Sequence, residues 1–291
     1  MLFKKIEFSD KEIIKKYYTS EKSVAAHFSF TNMYIWQESY NIEYAVESDC
    51  LCVKSRHSGR NSYFVLPCGH GNRKAATDKI IEYASFLGQK CVFAQLSQSD
   101  CEFLKENYGE RFSFLEDRNN WEYVYETESL ISLSGKKLHG KRNHLNVFLK
   151  DYDWKYEKIN EENISFAREF AISSIMDKED RGEELLSANK LFDKFFDFPL
   201  KGAVLYANGE ICAVTAGEML SNDTAVIHLE KANPDIRGSY AAINNLFVKN
   251  EFANVKYINR EEDMGIEGLR RAKTSYRPCH MAEKYVGVEG K

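Results

Sequence analysis

Residues 203–252, AVLYANGEICAVTAGEMLSNDTAVIHLEKANPDIRGSYAAINNLFVKNEF, contain the pattern that decides the fold. Three short segments rich in apolar and β-branched residues are bounded by turn residues, which predicts strands. The dipeptide Asn208-Gly209 joins the first two and predicts a type I′ hairpin, because that turn needs a positive φ at both central positions. The predicted elements are strands at 203–207, 211–217 and 224–230, a loop at 234–238 and a helix at 239–252.

The same order of elements occurs twice in the chain. The earlier copy has strands at 42–46, 50–55 and 62–66, a helix at 73–87, a strand at 90–96 and a last strand near Tyr123. The later copy continues with a strand at 255–259, a short helix at 266–272 and a strand near Tyr285. Equivalent elements lie about 160–165 residues apart, which indicates a duplicated domain rather than a solenoid of short repeats.

We therefore expect an N-terminal domain at 1–133 and a C-terminal domain at 134–291, entered through a basic helix at about 140–150. Each half reads as an α+β layer, in which helices flank a mixed, mostly antiparallel sheet with one βα crossover. The chain contains no dinucleotide fingerprint, P-loop, HExxH or GxSxG motif.

Composition narrows the class of protein. A net charge of −4 over 291 residues argues against a surface built as a whole for nucleic acid or anionic membrane. No apolar run approaches the roughly 18 residues that span a bilayer, and the N-terminus lacks the apolar core of a signal peptide. Seven cysteines without a CxxC motif indicate a reducing compartment. These features predict a soluble cytoplasmic protein without a transmembrane segment or a metal site.

A loop that follows one strand and opens a helix is the candidate cofactor site. Arg237, Gly238, Ser239 and Tyr240 place backbone N–H groups and a cation at a helix N-terminus, which suits a phosphate or pyrophosphate. The alternative is an ordinary turn in which Ser239 only caps the helix. Two polar residues at the end of the next strand, Asn259 and Arg260, complete the predicted cofactor-binding set.

Two residues near this loop are candidates for proton transfer. Glu230 ends a strand beside the loop and is a candidate general base. Tyr276, just after the short helix, is a candidate proton donor to a leaving group. The alternatives are a surface ion pair for Glu230 and a tyrosine at the edge of the core for Tyr276.

Two groups of cations are candidates for binding phosphate or nucleic acid. The first lies in the acid-free segment 134–150, and the second lies on and after the short helix at 266–272. Each phosphate contact would add a salt-dependent contribution to binding, whereas a solvated helix face needs no partner. The residues concerned are Lys136, Lys137, Lys141, Arg142, Arg270 and Lys273.

The duplicated unit and the loop RGSYA at 237–241 resemble the GCN5-related N-acetyltransferase (GNAT) fold. Over nearly the whole chain, five segments resemble a bacterial family related to the C-terminal domain of phosphatidylglycerol lysyltransferases. That family shares its tandem fold with the Fem-type transferases, which take aminoacyl groups from tRNA. The segments are GKKLHGKRN at 135–143, HLEKAN at 228–233, NREEDMG at 259–265, LRRAK at 269–273 and SY at 275–276.

The resemblance implies an acyltransferase or aminoacyltransferase with an amine or hydroxyl acceptor on a small molecule or peptide. Its donor would be acyl-CoA, with coenzyme A held at the 237–240 loop, or aminoacyl-tRNA, held by the cations. The alternative is a GNAT-like binding module without catalytic activity. In either case we expect the C-terminal half to carry the site.

Overall fold

The computed structural model describes residues 1–18, 24–176 and 182–290. They form two compact units, one of Met1–Trp121 with Ala282–Lys291 and one of Glu122–Met281. The helices are α1 (Lys11–Tyr18), α2 (Phe30–Trp36), α3 (Arg73–Phe86), α4 (Gln98–Tyr108), α5 (Thr127–Ser132), α6 (His139–Asp151), α7 (Ile164–Met176), α8 (Gly182–Asp193), α9 (Ser239–Glu251) and α10 (Glu267–Ser275).

Each unit contains one sheet, with seven strands among the described residues. The strands are β1 (Lys4–Lys5), β2 (Glu43–Glu47), β3 (Cys50–Ser55), β4 (Tyr63–Cys68), β5 (Val92–Leu96), β6 (Phe112–Glu116), β7 (Glu122–Glu126), β8 (Trp154–Lys158), β9 (Lys201–Ala207), β10 (Glu210–Met219), β11 (Thr224–Ala232), β12 (Tyr257–Glu262), β13 (His280–Ala282) and β14 (Tyr285–Glu289). The first sheet has the order β1-β2-β3-β4-β5-β14-β6, and the second has the order β13-β7-β12-β11-β10-β9-β8.

The two sheets confirm the predicted repeat and the predicted α+β class. Parallel pairing occurs between β4 and β5 and between β11 and β12, and each of these pairs is joined by a helix, α3 or α9. The ladders of β9 with β10 and of β10 with β11, by contrast, are antiparallel. Asn208 and Gly209 have φ values of 54° and 85°, which confirms the type I′ hairpin.

The last strand of each copy lies in the sheet of the other copy. Strand β7, which follows the first copy, pairs with β12 in the second sheet. Strand β14, which follows the second copy, pairs with β5 and β6 in the first. The units therefore do not follow the expected boundary between residues 133 and 134. Local strand propensity predicted both strands correctly, but their partners depend on pairing between distant parts of the chain.

The basic segment forms α6, a helix of the second unit. Leu145 and Phe148 on α6 are buried in the core of this unit, against residues of α9. We expected this helix to cross between the domains, whereas its apolar stripe places it within one. Within the described ranges, no helix combines the length and the apolar character needed to cross a bilayer.

Strands β11 and β12 separate after a short parallel ladder. Their register runs from Thr224 opposite Tyr257 to Val226 opposite Asn259. Beyond this point β11 continues to Ala232 and β12 continues to Glu262, but the ladder that joins these two strands to each other does not continue. We call the space between residues 227–232 of β11 and residues 260–262 of β12 the strand split. Side chains, rather than backbone hydrogen bonds, must connect the two strands there.

Candidate functional site

A buried ion pair crosses the strand split. Arg260 of β12 donates from Nη2 to Oε1 of Glu230 on β11 at 2.6 Å, and their side chains are 10% and 13% exposed. Burial alone would lower the pKa of Arg260, but the charge of Glu230 raises it above its ordinary value. The pair therefore stays charged and joins the strands where their backbone ladder has ended.

Asn244 of α9 holds the other oxygen of Glu230. Its Nδ2 donates to Glu230 Oε2 at 3.0 Å, and because a carboxylate only accepts, this contact fixes the orientation of the amide. Asn244 Oδ1 and Arg260 Nη1 are both buried, and neither has a hydrogen-bond partner among the described residues. An acceptor and a donor thus stay open on either side of one carboxylate. Buried polar groups without partners are rare enough to indicate a ligand or water site.

Tyr276 lies close to Arg260 of this ion pair and to a second cation. Its ring centroid is 4.7 Å from Arg260 Cζ and 4.3 Å from Nζ of Lys141 on α6. Burial raises the pKa of Tyr276 to about 12, so its hydroxyl keeps its proton at neutral pH. Burial and the charge of Arg260 lower the pKa of Lys141. The arrangement provides a neutral proton donor beside two positive charges.

A second buried cluster lies on the same strand. His228 Nδ1 is 2.9 Å from Oε1 of Glu261 on β12, and His228 Nε2 is 3.1 Å from Oε1 of Glu218 on β10. Burial alone would lower the pKa of His228, but the two carboxylates raise it to about 10. Because ionised carboxylates only accept hydrogen bonds, both ring nitrogens must carry a proton. His228 is therefore an imidazolium, and its side chain is fully buried.

The glycine of the predicted cofactor loop has a packing role. Gly238 is the N-cap of α9 with φ of 90°, and a Cβ there would lie 2.2 Å from the carbonyl oxygen of His144 on α6. The N-cap position is thus Gly238 rather than Ser239, and the buried Ser239 donates from Oγ to the carbonyl oxygen of Asn233 at 2.7 Å. Both residues thus hold α9 in place. The remaining two predicted loop residues, Arg237 and Tyr240, are exposed.

Asn259 is committed to the backbone of β12. It is fully buried, its Nδ2 donates to Glu122 Oε2 at 2.5 Å, and its Oδ1 accepts from the backbone N–H of Glu261 at 2.7 Å. Of the two cofactor-binding residues predicted on this strand, only Arg260 therefore has a group that is open to a ligand.

Three of the predicted phosphate-binding cations bind the protein itself. Arg142 donates to the carbonyl oxygens of residues 133 and 135. Arg270 makes two hydrogen bonds to Asp263, which is fully buried. Lys273 donates from Nζ to the carbonyl oxygen of Arg260 at 2.6 Å, and burial lowers its pKa to about 8. Lys136 and Lys137 are exposed, and Lys141 belongs to the strand split.

The structure thus joins Glu230, Arg260, Tyr276 and Lys141 into one site, although sequence analysis had placed them in three different groups. Sequence analysis missed Asn244. The available signal was a pair of adjacent asparagines in the middle of a mostly apolar helix, where polar residues need a reason. The second of them, Asn245, donates to the carbonyl oxygens of residues 130 and 131 and is structural.

Comparison with known proteins identifies the family of this chain. Residues 20–287 match the family described as phosphatidylglycerol lysyltransferase, C-terminal. An uncharacterized protein of Mycoplasmoides gallisepticum is 29% identical over 203 residues, which are 68% of this chain and 65% of that relative. This chain therefore spans less than two thirds of the length of that relative.

Solved structures share the fold over nearly the full length. A conserved protein of unknown function from Bacteroides thetaiotaomicron is 33% identical and has a TM-score of 0.93 over 99% of both chains. L-PGS from Bacillus licheniformis is 16% identical, with a TM-score of 0.64 over 90% of this chain and 92% of its own. A tandem GNAT protein from the clavulanic acid biosynthesis pathway is 10% identical, with a TM-score of 0.57 over 100% and 99%.

The last two similarities show the fold alone, and they confirm the expected tandem GNAT-like architecture. The match over residues 20–287 covers most of the chain, and it shows that this protein belongs to the phosphatidylglycerol lysyltransferase C-terminal family.

Proposed function

We propose that the second unit transfers an aminoacyl group from a phosphate-containing donor to an amine or hydroxyl acceptor, and that the reaction occurs at the strand split. The observation that carries the proposal is the open donor on Arg260 and the open acceptor on Asn244, held on one carboxylate beside Tyr276. The family, named for lysyl transfer to a lipid, supports the same class of reaction.

The two open groups match the two ends of an aminoacyl group. Arg260 Nη1 would donate to the carbonyl oxygen and stabilise the negative charge that develops there during attack. Asn244 Oδ1 would accept from the α-ammonium group of the same donor. A simple acyl group offers no ammonium, so this pairing favours aminoacyl over acetyl transfer.

Tyr276 would donate and accept the protons that move during the transfer. The acceptor nitrogen or oxygen forms a bond to the carbonyl carbon, and the bond from that carbon to the oxygen of the donor breaks. Tyr276 would give its proton to the leaving oxygen and regain one from the attacking group, so the proton count balances. Both oxygens of Glu230 already accept hydrogen bonds, and we assign this carboxylate to orienting Arg260 and Asn244.

The surroundings of the predicted phosphate residues favour tRNA over coenzyme A as the donor. In the predicted loop the backbone N–H of Arg237 donates to the hydroxyl of Tyr152 and that of Ser239 donates to the carbonyl oxygen of Ile236, so fewer N–H groups remain for the phosphates of coenzyme A. The exposed Lys136 and Lys137 would contact phosphates of a nucleic acid, and each contact would weaken with salt. Transfer from acyl-CoA is the second candidate, because Arg237 is an exposed cation directly before the N-cap of α9.

A thermal-shift titration with coenzyme A, acetyl-CoA, and aminoacylated and deacylated tRNA at two salt concentrations tests the donor. We expect salt-sensitive stabilisation that is larger for aminoacylated than for deacylated tRNA. Stabilisation by coenzyme A that is insensitive to salt and lost in Arg237→Ala would instead support acyl-CoA. No response to any donor would support a binding module without activity.

Transfer of labelled amino acids from tRNA to a panel of amino acids, short peptides and phosphatidylglycerol vesicles tests the reaction. Arg260→Lys keeps the charge but loses the planar fork, so we expect a strong loss of transfer. Glu230→Gln distinguishes an orienting role of Glu230 from a role as general base. An orienting amide would retain partial activity, whereas loss as complete as in Tyr276→Phe would restore Glu230 as the general base.

A further inference from the structure

His228 lies beside the proposed site but contacts none of its open groups. Its ring spans three strands, since Glu218 on β10 holds one nitrogen and Glu261 on β12 holds the other. The contact with Glu261 crosses between β11 and β12 after their backbone ladder has ended at Val226 opposite Asn259. His228 is therefore a side-chain bridge across this space, as is the pair of Glu230 with Arg260.

The residue that His228 holds sits in an irregular part of β12. The register of β12 with β7 shifts between Asn259 and Glu262, and Glu261 has a positive φ of 54°. Such bulges re-aim the side chains next to them. Arg260 is the residue directly before Glu261, so the direction of its guanidinium depends on where this bulge is fixed.

Several contacts hold the bulge, and Lys273 Nζ donates to the carbonyl oxygens of Arg260 and Glu262 on either side of Glu261. Asn259 Oδ1 accepts from the backbone N–H of Glu261, and His228 Nδ1 donates to the carboxylate of Glu261. The contact with Asn259 lies within β12, whereas the contact with His228 ties Glu261 itself to the neighbouring strand β11. Loss of the proton from His228 would remove one of the two hydrogen bonds that its ring donates to these buried carboxylates.

We propose that His228 is a positioning residue for the transfer reaction, and that its imidazolium, held by Glu218 and Glu261, fixes the bulge of β12 that aims Arg260 into the strand split. The catalytic part of this proposal rests on the proposed function, whereas the positioning part concerns the fold alone. The charged groups that act on His228 are Glu218 from β10 and Glu261 from β12.

Nitrogen NMR of the full chain tests the positioning directly. We expect both ring nitrogens of His228 to carry protons at neutral pH, with titration near pH 10. In Glu218→Gln the titration should move to lower pH, because one stabilising carboxylate is gone. The side-chain Nε–H signal of Arg260, identified by its loss in Arg260→Lys, should shift in both His228→Gln and Glu218→Gln. An Arg260 signal that is unchanged in both variants would overturn the proposal.

The matched control is His27→Gln. The ring nitrogens of His27 are also buried, but they have no hydrogen-bond partner among the described residues, and His27 lies in the first unit. This substitution should leave the Arg260 signal in place. A shift of the same size in His27→Gln would mean that the signal reports general loosening, and it would also overturn the proposal.

A double-mutant cycle tests the catalytic consequence. His228→Gln should lower kcat about 10- to 100-fold with little change in KM for the donor, as expected for a small misplacement of a catalytic group. In an Arg260→Lys background the same change should cost much less, because His228 acts through Arg260. Additive losses would contradict this. If the wild-type protein transfers nothing while the NMR shifts appear, the proposed function fails and the positioning role stands.

Discussion

The strand split of the second unit and the equivalent position between β4 and β5 of the first unit have a similar backbone arrangement. In both, a short parallel pairing gives way to separated strands, and the later strand has a residue with positive φ, Gln95 at 59° and Glu261 at 54°. In the first unit the end of β4 carries Leu66 and Cys68, which are buried and apolar. In the second unit the corresponding strand β11 carries His228 and Glu230. The fold is thus repeated, while the charges that make a site occur in one copy.

The loops after these strands differ less than their sequences imply. A Cβ on Gly71 would lie 2.0 Å from the carbonyl oxygen of Ser48, and one on Gly238 would lie 2.2 Å from that of His144. Glycine is therefore required for close packing in both units, and it does not mark the functional copy. Arg73, the cation beside the first loop, is already paired with Asp100. The side chains on the strand ends are what separate a scaffold from a candidate site.

Removing one tyrosine hydroxyl from each unit, in two separate variants, should give the largest difference in kcat between the two units. Tyr276 follows α10, and Tyr108 ends the corresponding helix α4, where its hydroxyl donates to Asp78 at 2.8 Å. Tyr276→Phe should lower kcat for transfer by about 100- to 10,000-fold, because it removes the proton donor. Tyr108→Phe should leave the rate unchanged. Equal rates in the two variants would remove Tyr276 from the mechanism.

Removal of one cation from each unit should give the next largest effect. Arg260→Met leaves Glu230 charged and buried, and we expect the free energy of unfolding to fall by about 3–5 kcal/mol. Arg73→Met breaks the more exposed pair with Asp100 and should cost about 1 kcal/mol. Denaturant titration measures both. Adding Glu230→Gln to Arg260→Met should recover part of the loss, and the absence of any recovery would argue against an uncompensated charge.

A methyl group added to the loop of the second unit should have a smaller effect. Gly238→Ala combines a positive φ with a clash against the backbone of α6, and we expect a loss of about 2–3 kcal/mol in unfolding free energy. Gly209→Ala is the matched control, because it has a positive φ with open space around it and should cost about 1 kcal/mol. Equal losses in thermal or urea unfolding would show that α6 yields to the added methyl group.

The two buried histidines should respond to pH in opposite directions. The pKa of His228 is raised, so its contribution to stability is complete below about pH 6.5 and is lost as pH rises through about 10. Burial lowers the pKa of His27 well below its ordinary value, so stability is lost as pH falls below about 6.5. Unfolding free energies across this range, each compared with the His→Gln variant, measure the two slopes. Slopes of the same sign would contradict the assigned charge of one histidine.

The sequence predicted the elements of the fold well, because alternation, turn residues and helix stops are local signals. The hairpin at Asn208-Gly209 and helix α9 are clear examples. The exchange of β7 and β14 was not predictable in this way, since the buried residues of β7 would suit either sheet. The partner of a strand is decided by contacts more than 100 residues away along the chain, such as Tyr125 opposite Ile258.

The candidate site was predictable only in part. Glu230 was named because it ends a strand beside the predicted phosphate loop, and Arg260 because it ends the next strand. Their direct contact, however, depends on how β11 and β12 separate. The cations illustrate the limit most clearly. The sequence predicts the same phosphate-binding role for Lys141 and Lys273. In the structure, Lys141 lies over the ring of Tyr276, whereas Lys273 donates to a backbone carbonyl group. Which partner a long side chain reaches follows from packing rather than from spacing.

The exchanged strands impose an order on how the protein is made. Strand β14 lies between β5 and β6, and its partners in β6 have no other neighbour in the first sheet. During translation, nearly all of the first unit is therefore synthesised long before β14, the strand that completes its sheet. One edge of β5 stays unpaired while the second unit is synthesised. Unpaired edges promote aggregation, so this stage is the one at which a nascent chain would need a chaperone. Termination between residues 281 and 285 would release a polypeptide whose second unit is complete and whose defect lies in the unit that was translated first.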